Sequence, residues 1–304
     1  MTKKRKTKSK RKREELAGEI IFVIIVLVLA VHYLGDMGGF RGNFGKLSDI
    51  RDLGDGAAYF HFIDVGQGDS ALITTDGGAV VIDVGSVSEG ERVAEYINTY
   101  TQSVDYLILT HPHEDHMGSA DKILKYTDVK NVIMPAAASD AAFFSRFLEM
   151  VEKKEVNVIE AVPGDVYTVG ELTLTILAPL EREYDNVNNY SVVTRVEVGD
   201  TSALFTGDAE AEVEDALLAA YGGELDCDLL KAGHHGSGTS STWDFLLATA
   251  PTAAVISCGR GNSYGHPHGE VLADLEELGV EVFRTDLSGD LIFVSDGSGV
   301  SLYE

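Results

Sequence analysis

Seven of the nine histidines fall in three short segments: His111, His113 and His116; His234 and His235; His266 and His268. Histidines with scattered structural roles do not cluster in this way, whereas imidazoles that hold a metal ion must converge. The densest segment, THPHEDHMG at residues 110–118, continues the apolar run VDYLILT and adds two carboxylates, Glu114 and Asp115. On an extended backbone residues i and i+2 project to the same side, so His111 and His113 can grip one ion. Asp115 and His116, where the chain turns into the next helix, can face a second. Neutral imidazole with carboxylate suits zinc, and after it manganese or iron. A solvated turn with a capping Asp is the plainer alternative, and the fixed ligand spacing between a strand and a helix argues against it. With only Cys227 and Cys258 in 304 residues, the sequence excludes a disulfide framework, a Cys-rich zinc module and an iron–sulfur cluster. Both cysteines sit in strand-like apolar patterns and read as core residues.

The elements that must position these groups are short. Apolar, β-rich runs predict strands at Tyr59–Val65, Ala79–Val84, Val104–Thr110, Val129–Met134 and Leu172–Leu177, and later at Leu225–Lys231, Ala253–Ser257 and Leu291–Val294. Val192–Val198 and Ser202–Phe205 flank Gly199-Asp200, which predicts a hairpin. Helical periodicity fits Glu89–Tyr100, Ser119–Tyr126, Ala141–Lys154, Ala209–Tyr221, Ser241–Ala250 and Gly269–Leu278. This alternation predicts an α/β body of two sheets enclosed by helices, beginning near Ala57.

The arrangement His111, His113, Asp115 and His116 resembles the HxHxDH signature of the metallo-β-lactamase superfamily, and the resemblance covers residues 57–304. It implies a four-layer αββα sandwich, here preceded by one transmembrane helix, and a hydrolase that uses one or two zinc ions, or manganese. It further implies that His111, His113 and Asp208 hold one ion and that Asp115, His116, Asp208 and His234 hold the other. Asp208, in TGD, then bridges the two, although the same residue also suits a cap for the helix starting near Ala209. Of the pair His234 and His235, the first is the expected ligand. Asp83, in AVVIDVG, and Asp64, in FIDVGQGDS, are expected to support the metal loop from behind. One departure stands out: most members place another histidine before the bridging acid, and residues 117–207 contain none. The segment NVNNYSVV at 186–193 takes that region, which leaves an open position on the first metal or Asn189 near it.

FIDVGQGDS, NNYS, LKAGHHGS and ISCGRGNSYGHPH resemble more narrowly the hydrolase domain of ComEC-type competence proteins, the DNA-uptake channels of bacteria. The channel's many apolar spans are not in this sequence, so the resemblance supports a hydrolase near a membrane and not transport. Metal-assisted hydrolysis of a phosphodiester is the implied chemistry, with water acidified to a pKa of about 7 and a phosphoryl oxygen polarised. Asp115, His235 and His266 are the expected catalytic residues, His266 as general acid. Lys231, Ser237, Asn262, His266 and His268 are expected on the substrate side.

Charge qualifies that reading. The chain carries 24 Lys+Arg and 49 Asp+Glu, and nine of those cations lie in residues 1–13. Ile20–Leu34 follows as an apolar run slightly short of the about 20 residues of a spanning helix. Residues 1–18 therefore read as a basic cytoplasmic segment, 19–34 as a single-pass anchor and 35–56, with seven glycines, as a linker to an extracytoplasmic body. The competing reading is a signal sequence, cleaved after Ala30, that releases a secreted protein. The body itself, residues 57–304, holds 12 cations against 42 acids, and such a surface repels a polyanionic duplex at long range. Metal ions and a groove around Lys231, Arg195 and Arg260 would offset this for single-stranded DNA, without a strong grip on duplex. An acidic surface suits a small phosphodiester or phosphocholine-type ester better. A catalytically silent, metal-bound envelope binding module is the alternative outside enzymology, and the intact HPHEDH speaks against it.

Overall fold

Period-two alternation inside continuously apolar strands organises the fold. In Ala58–Phe62 (β1), Ala58, Phe60 and Phe62 point to one side; in Gly78–Val84 (β3), Val80 and Ile82 share that side while Ala79 and Val81 take the other. Strands buried on both faces read as unbroken hydrophobic runs, and both faces are covered. The computed structural model describes residues 57–303. The basic segment, the anchor and the linker expected at 1–18, 19–34 and 35–56 lie outside the described residues, and among the described residues no helix is long and apolar enough to cross a membrane.

The first sheet also contains Ser70–Thr75 (β2), Ser103–Ile108 (β4), Asp128–Met134 (β5) and Asn157–Glu160 (β6). The second is built from Val166–Val169 (β7), Leu172–Ala178 (β8), Val193–Val198 (β9), Thr201–Phe205 (β10), Leu229–Lys231 (β11), Ala253–Ile256 (β12) and Glu281–Arg284 (β13). Leu291–Ser295 (β14) and Val300–Leu302 (β15) return to the first sheet, giving the orders β15-β14-β1-β2-β3-β4-β5-β6 and β13-β12-β11-β10-β9-β8-β7. Between the sheets lies a core that includes Phe60, Phe62, Ile82, Phe205, Val255 and Phe293, with Phe62 stacked on Phe205 across the two sheets at 5.7 Å.

Outside the first sheet pack Gly90–Tyr100 (α1), the single turn Glu114–Met117 (α2), Ala120–Tyr126 (α3) and Ala142–Lys154 (α4), through Val93, Ile97, Met117, Ile123 and Phe147. Outside the second pack Ala211–Tyr221 (α5), Trp243–Thr249 (α6) and Gly269–Glu277 (α7), through Val213, Leu217, Phe245, Val271 and Leu275, with the turn Thr285–Ser288 (α8) following β13. The expected four layers are present.

Each sheet holds a parallel block, β3-β4-β5-β6 and β10-β11-β12-β13, because helices make the crossovers. The loops after β4, β10, β11 and β12 carry the histidines and Asp208 to one rim. The β9–β10 hairpin forms around Gly199-Asp200 as expected. The strand expected over Leu225–Lys231 is shorter, since residues 222–225 form a 3-10 turn, and Cys227 precedes it. Both cysteines are free and buried in the second sheet's outer core.

Candidate metal centre

Asp208 stands at the middle of the rim, 2% exposed, and its two oxygens face two groups of imidazoles. Oδ2 lies 3.8 Å from His111 Nε2 and 3.6 Å from His234 Nε2; Oδ1 lies 3.1 Å from His116 Nε2 and 3.5 Å from His235 Nε2. His111 Nε2 is 3.0 Å from His113 Nδ1, and His235 Nε2 is 3.4 Å from Asp115 Oδ2. Three overlapping sets of ligand-type atoms converge: His111, His113 and Asp208; Asp115, His116 and His235; and Asp69, His116 and Asp208, of which Asp69 is already held by Lys231.

The ring orientations are fixed from behind. Asp83 is the extra residue in an irregularity where Ser70 pairs with Val84 and Ala71 with Ile82, and its φ of 56° is left-handed. Such a bulge re-aims a side chain: Asp83 Oδ1 accepts the Thr110 N–H at 2.8 Å, and Oδ2 accepts the Thr110 hydroxyl and His116 Nδ1–H, each at 2.7 Å. Asp83 thus fixes the Nδ1 proton of His116, so that Nε2 is the nitrogen turned to Asp208. The second arm has the same design. His235 Nδ1 donates to Asp69 Oδ1 at 3.1 Å and to the Ser257 carbonyl at 3.0 Å, while Lys231 Nζ binds Asp69 Oδ2 at 2.8 Å. His111 Nδ1 meets the hydroxyls of Thr110 at 3.1 Å and Ser191 at 3.3 Å, and Ser191 Oγ accepts the Asp208 N–H at 3.0 Å.

Two glycines permit these approaches. A Cβ on Gly68 would lie 2.3 Å from the Asp115 carbonyl oxygen, and one on Gly207 would lie 2.9 Å from Thr110 Cβ. The backbone of His234 and His235 is left-handed at φ 47° and 57°. Non-glycine residues in that region are strained, and strain of this kind gathers where function needs it.

Among the buried side-chain atoms without a hydrogen-bond partner in the described residues, three meet at this centre: His116 Nε2, Asp208 Oδ1 and His235 Nε2. Buried polar atoms are ordinarily satisfied, and three orphans that face one another meet the requirement of a cation. The electrostatics agree. Burial pulls His116 down, but Asp208 and Asp83 outweigh it and leave the ring well above its ordinary range; His235 is raised to about 9 by Asp208 and Asp69 against the same burial. The two imidazoles in turn hold Asp208 well below the carboxylate range although burial opposes it. The carboxylates demand positive charge here, and a divalent ion meets that demand by replacing protons. His111 is held well below its ordinary range by burial and by His116, as suits a neutral ligand.

The structure corrects several expectations. His235, not His234, joins Asp115 and His116; two successive left-handed residues turn His234 toward Thr239 at 3.0 Å and Glu210 at 3.4 Å instead. The Asp64 carboxylate accepts the Gly66 N–H and its backbone bonds to Asp290 and Arg92, away from the metal loop, and the support expected of it comes from Asp69. Asn189 binds Glu212 at 2.7 Å and accepts the Glu210 N–H, so its neighbour Asn188 faces His234 at 3.5 Å. Lys231 is 4% exposed and Ser237, equally buried, bonds to Thr239, and neither lines the cavity over the centre. Asn262 binds the carbonyls of Gly259 and His266 and accepts from the amides of Tyr264 and His266, which makes it the brace of its loop. His268 Nδ1 accepts the Gly238 N–H at 2.9 Å and its Nε2 faces the Tyr264 carbonyl at 3.3 Å, another brace. Arg195 and Arg260 bond to the carbonyls of Asp226 and Asp286, and neither lines the cavity over the centre.

A cavity of about 320 Å³ opens over the centre, lined by His113, Asp115, Asp208, His234, His235 and His266 together with Gln67, Glu114, Asn188 and Tyr264. No Lys or Arg lines it. His266 is pushed down to about 4 by burial and by the neighbouring rings of His235 and His234. A ring that is neutral at neutral pH cannot be the general acid expected of it.

The metallo-β-lactamase superfamily profile matches residues 63–260. ComE operon protein 3 of Bacillus subtilis is 33% identical over 248 residues, 75% of this chain and 32% of that protein. Competence protein ComA of Neisseria gonorrhoeae is 31% identical over 239 residues, 78% and 32% respectively, and Recombination protein 2 of Haemophilus influenzae is 32% identical over 234 residues, 75% and 28%. The chain thus spans about a third of the length of these curated relatives. Among solved structures, the metallo-β-lactamase fold protein YhfI of Bacillus subtilis superposes with a TM-score of 0.53 at 14% identity, over 78% of this chain and all of that one. CmlA, a diiron beta-hydroxylase from Streptomyces venezuelae, gives 0.50 at 14% identity, over 75% and 52%. At that identity the two structures establish a shared fold.

Proposed function

The chain belongs to the metallo-β-lactamase superfamily, and from that premise we propose that it is a metal-dependent phosphodiesterase of the kind that cleaves single-stranded DNA. The observation that carries the reading is the set of orphaned atoms Asp208 Oδ1 and His235 Nε2, at the floor of an open cavity, and His116 Nε2 buried beneath them. His111, His113 and Asp208 would hold one ion; Asp115, His116, His235 and Asp208 would hold the other. Zinc fits the imidazole-rich donors, and manganese the carboxylates. When bound, such ions polarise a phosphoryl oxygen and make water acidic enough to ionise near neutral pH.

The chain's own residues do the rest. Asp83 and Asp69 keep the Nδ1 protons of His116 and His235 in place, so that both rings present Nε2 to the centre. Asp208 divides its oxygens between the two imidazole groups. His266, neutral in the cavity wall, bounds the space over the centre, and Asn262 and His268 hold its loop in place. The kinship with proteins named for competence and recombination supports DNA as the substrate. The cation-free wall of the cavity favours a second reading, a small or phosphocholine-type diester.

The proposal extends to place. A basic stretch followed by an apolar run supports an anchor at residues 19–34, with the body on the far side of the membrane. Protease added to intact cells then digests the body; full protection contradicts this topology. For the reaction, the full chain is stripped with a chelator, reloaded with zinc or manganese, and offered bis-p-nitrophenyl phosphate, oligothymidylate, duplex DNA and a phosphocholine ester. Metal-dependent cleavage of oligothymidylate over duplex is expected. Absence of cleavage of every diester sinks the enzyme reading, and cleavage of the phosphocholine ester alone sinks the DNA assignment.

A further inference from the structure

The cavity presents a contrast between its floor and its mouth. The floor is a cluster of carboxylates and imidazoles; the mouth carries Tyr264, at 66% exposure the most exposed large apolar side chain among the described residues. A lone exposed aromatic needs no explanation, but this one is not mobile decoration on a loop. Its amide donates to Asn262 Oδ1 at 3.1 Å, its carbonyl accepts from His268 at 3.3 Å, and its ring lies stacked on His266 at 5.5 Å with 22° between planes. His266 in turn sits 5.7 Å from the His234 ring and 6.2 Å from that of His235. A braced flat face therefore begins at the candidate metals and extends outward.

The wall's charge limits what that face can hold. With Glu114, Asp115 and Asp208 lining the cavity and no Lys or Arg, flanking phosphates gain no ionic contact beyond the metals. A ligand part held outside the metal cluster must be neutral and flat, which describes a nucleobase. A quaternary ammonium is also compatible with an aromatic ring beside acids, but its recognition uses rings on several sides, and here one stacked pair offers one face. We propose that Tyr264, backed by His266, is a stacking platform for a nucleobase next to the cleaved phosphodiester, and that it selects base-bearing substrates. The inference rests on the phosphodiesterase reading and deepens it.

Stacking of one base on an aromatic side chain carries roughly tenfold to a hundredfold in affinity. The test is fluorescence anisotropy on the full chain with a labelled thymidine tetramer and an abasic tetramer of the same backbone, both phosphorothioate-linked so that they persist. Wild type is expected to bind the thymidine tetramer about tenfold or more tightly than the abasic one. Tyr264→Ala brings that ratio toward one, and Tyr264→Phe restores it, which a merely structural role for the side chain does not explain. Equal binding of the two tetramers by wild type overturns the inference, as does a ratio that Tyr264→Ala leaves unchanged. Displacement of the thymidine tetramer by phosphocholine but not by thymidine monophosphate overturns it as well. Hydrolysis is scored apart: base-selective binding through Tyr264 without cleavage of any diester refutes the phosphodiesterase and spares the platform, and cleavage with a ratio of one does the reverse.

Discussion

Replacing Lys231 with methionine removes one charge from a site closed to bulk solvent. Lys231 Nζ sits 2.8 Å from Asp69 Oδ2, with the two side chains 4% and 7% exposed, and Asp69 Oδ1 holds His235 Nδ1 at 3.1 Å. Burial alone would raise the Asp69 carboxyl; Lys231 and then His235 outweigh it and keep it below its usual range. Lys231→Met leaves that carboxylate buried with half its compensation gone, which costs about 3–5 kcal/mol. For a domain of this size, where each kcal/mol shifts Tm by about 2–4 °C, the midpoint falls by roughly 6–20 °C. The damage reaches the metal, because a carboxyl that takes up a proton no longer fixes the His235 tautomer; loss of such support weakens metal binding about 10–100-fold. Thermal unfolding and a competitive chelator titration read the two effects. Adding Asp69→Asn to Lys231→Met removes the stranded charge, so the double variant should recover part of the loss in stability, with a coupling of about 1–3 kcal/mol. A Lys231→Met protein within about 2 °C of wild type and with unchanged metal affinity would refute this reasoning, as would strict additivity in the cycle.

Other expectations are more compact. His61 is fully buried against Tyr96, 3.0 Å from its hydroxyl, and burial pushes it down from 6.5 to about 3. The folded state keeps it neutral, so the unfolded state binds the extra proton between those values, and the stability present above pH 6.5 is lost as pH falls toward 3. Going from pH 7.5 to 5 costs about 2 kcal/mol through this residue, and denaturant midpoints at the two pH values should show a smaller drop in His61→Gln than in wild type. Gly68→Ala forces a carbon against the Asp115 carbonyl; metal content and hydrolysis should fall together while the far-UV circular dichroism is kept, and full activity would show that the loop yields. Binding of oligothymidylate should change less than about threefold between 50 and 200 mM salt, since neutralising even one phosphate by a side chain produces about that change. A steep slope in the titration would point to a cationic groove elsewhere on the chain.

Much of the fold was legible because its strands are buried on both faces and read as plain apolar runs. The strands missed from sequence are mainly edge or near-edge ones such as β6 and β7, where exposed positions break the pattern. The metal loop was legible because HPHEDH packs its ligands into six consecutive residues. The errors came where backbone conformation, and not residue type, decides direction. Asp64 and Asp69 are both acids in FIDVGQGDS, and the chain reverses through Gly66 at φ 69° and Gly68 at φ 143° before Asp69 enters the site. His234 and His235 differ only in which ring a left-handed pair of residues turns inward. Asn188 and Asn189 share one 3-10 turn and both bond to Glu210, but only Asn188 reaches His234 and the cavity. Lys231 carries a signal of its own burial. Leu229 faces the inter-sheet core and Leu230 the outer one, so strand parity places Lys231 inward, where a cation needs a buried acid.

The central claim is that Asp208 divides one carboxylate between two metal ions, with His235 as the late histidine. Elemental analysis of the full chain, purified with saturating zinc or manganese and then dialysed, tests it most directly when repeated on Asp208→Asn, His235→Ala and His234→Ala. The account predicts two metal equivalents in wild type and in His234→Ala, about one in His235→Ala, and loss of both in Asp208→Asn. Two retained equivalents in His235→Ala together with a lost one in His234→Ala would contradict it.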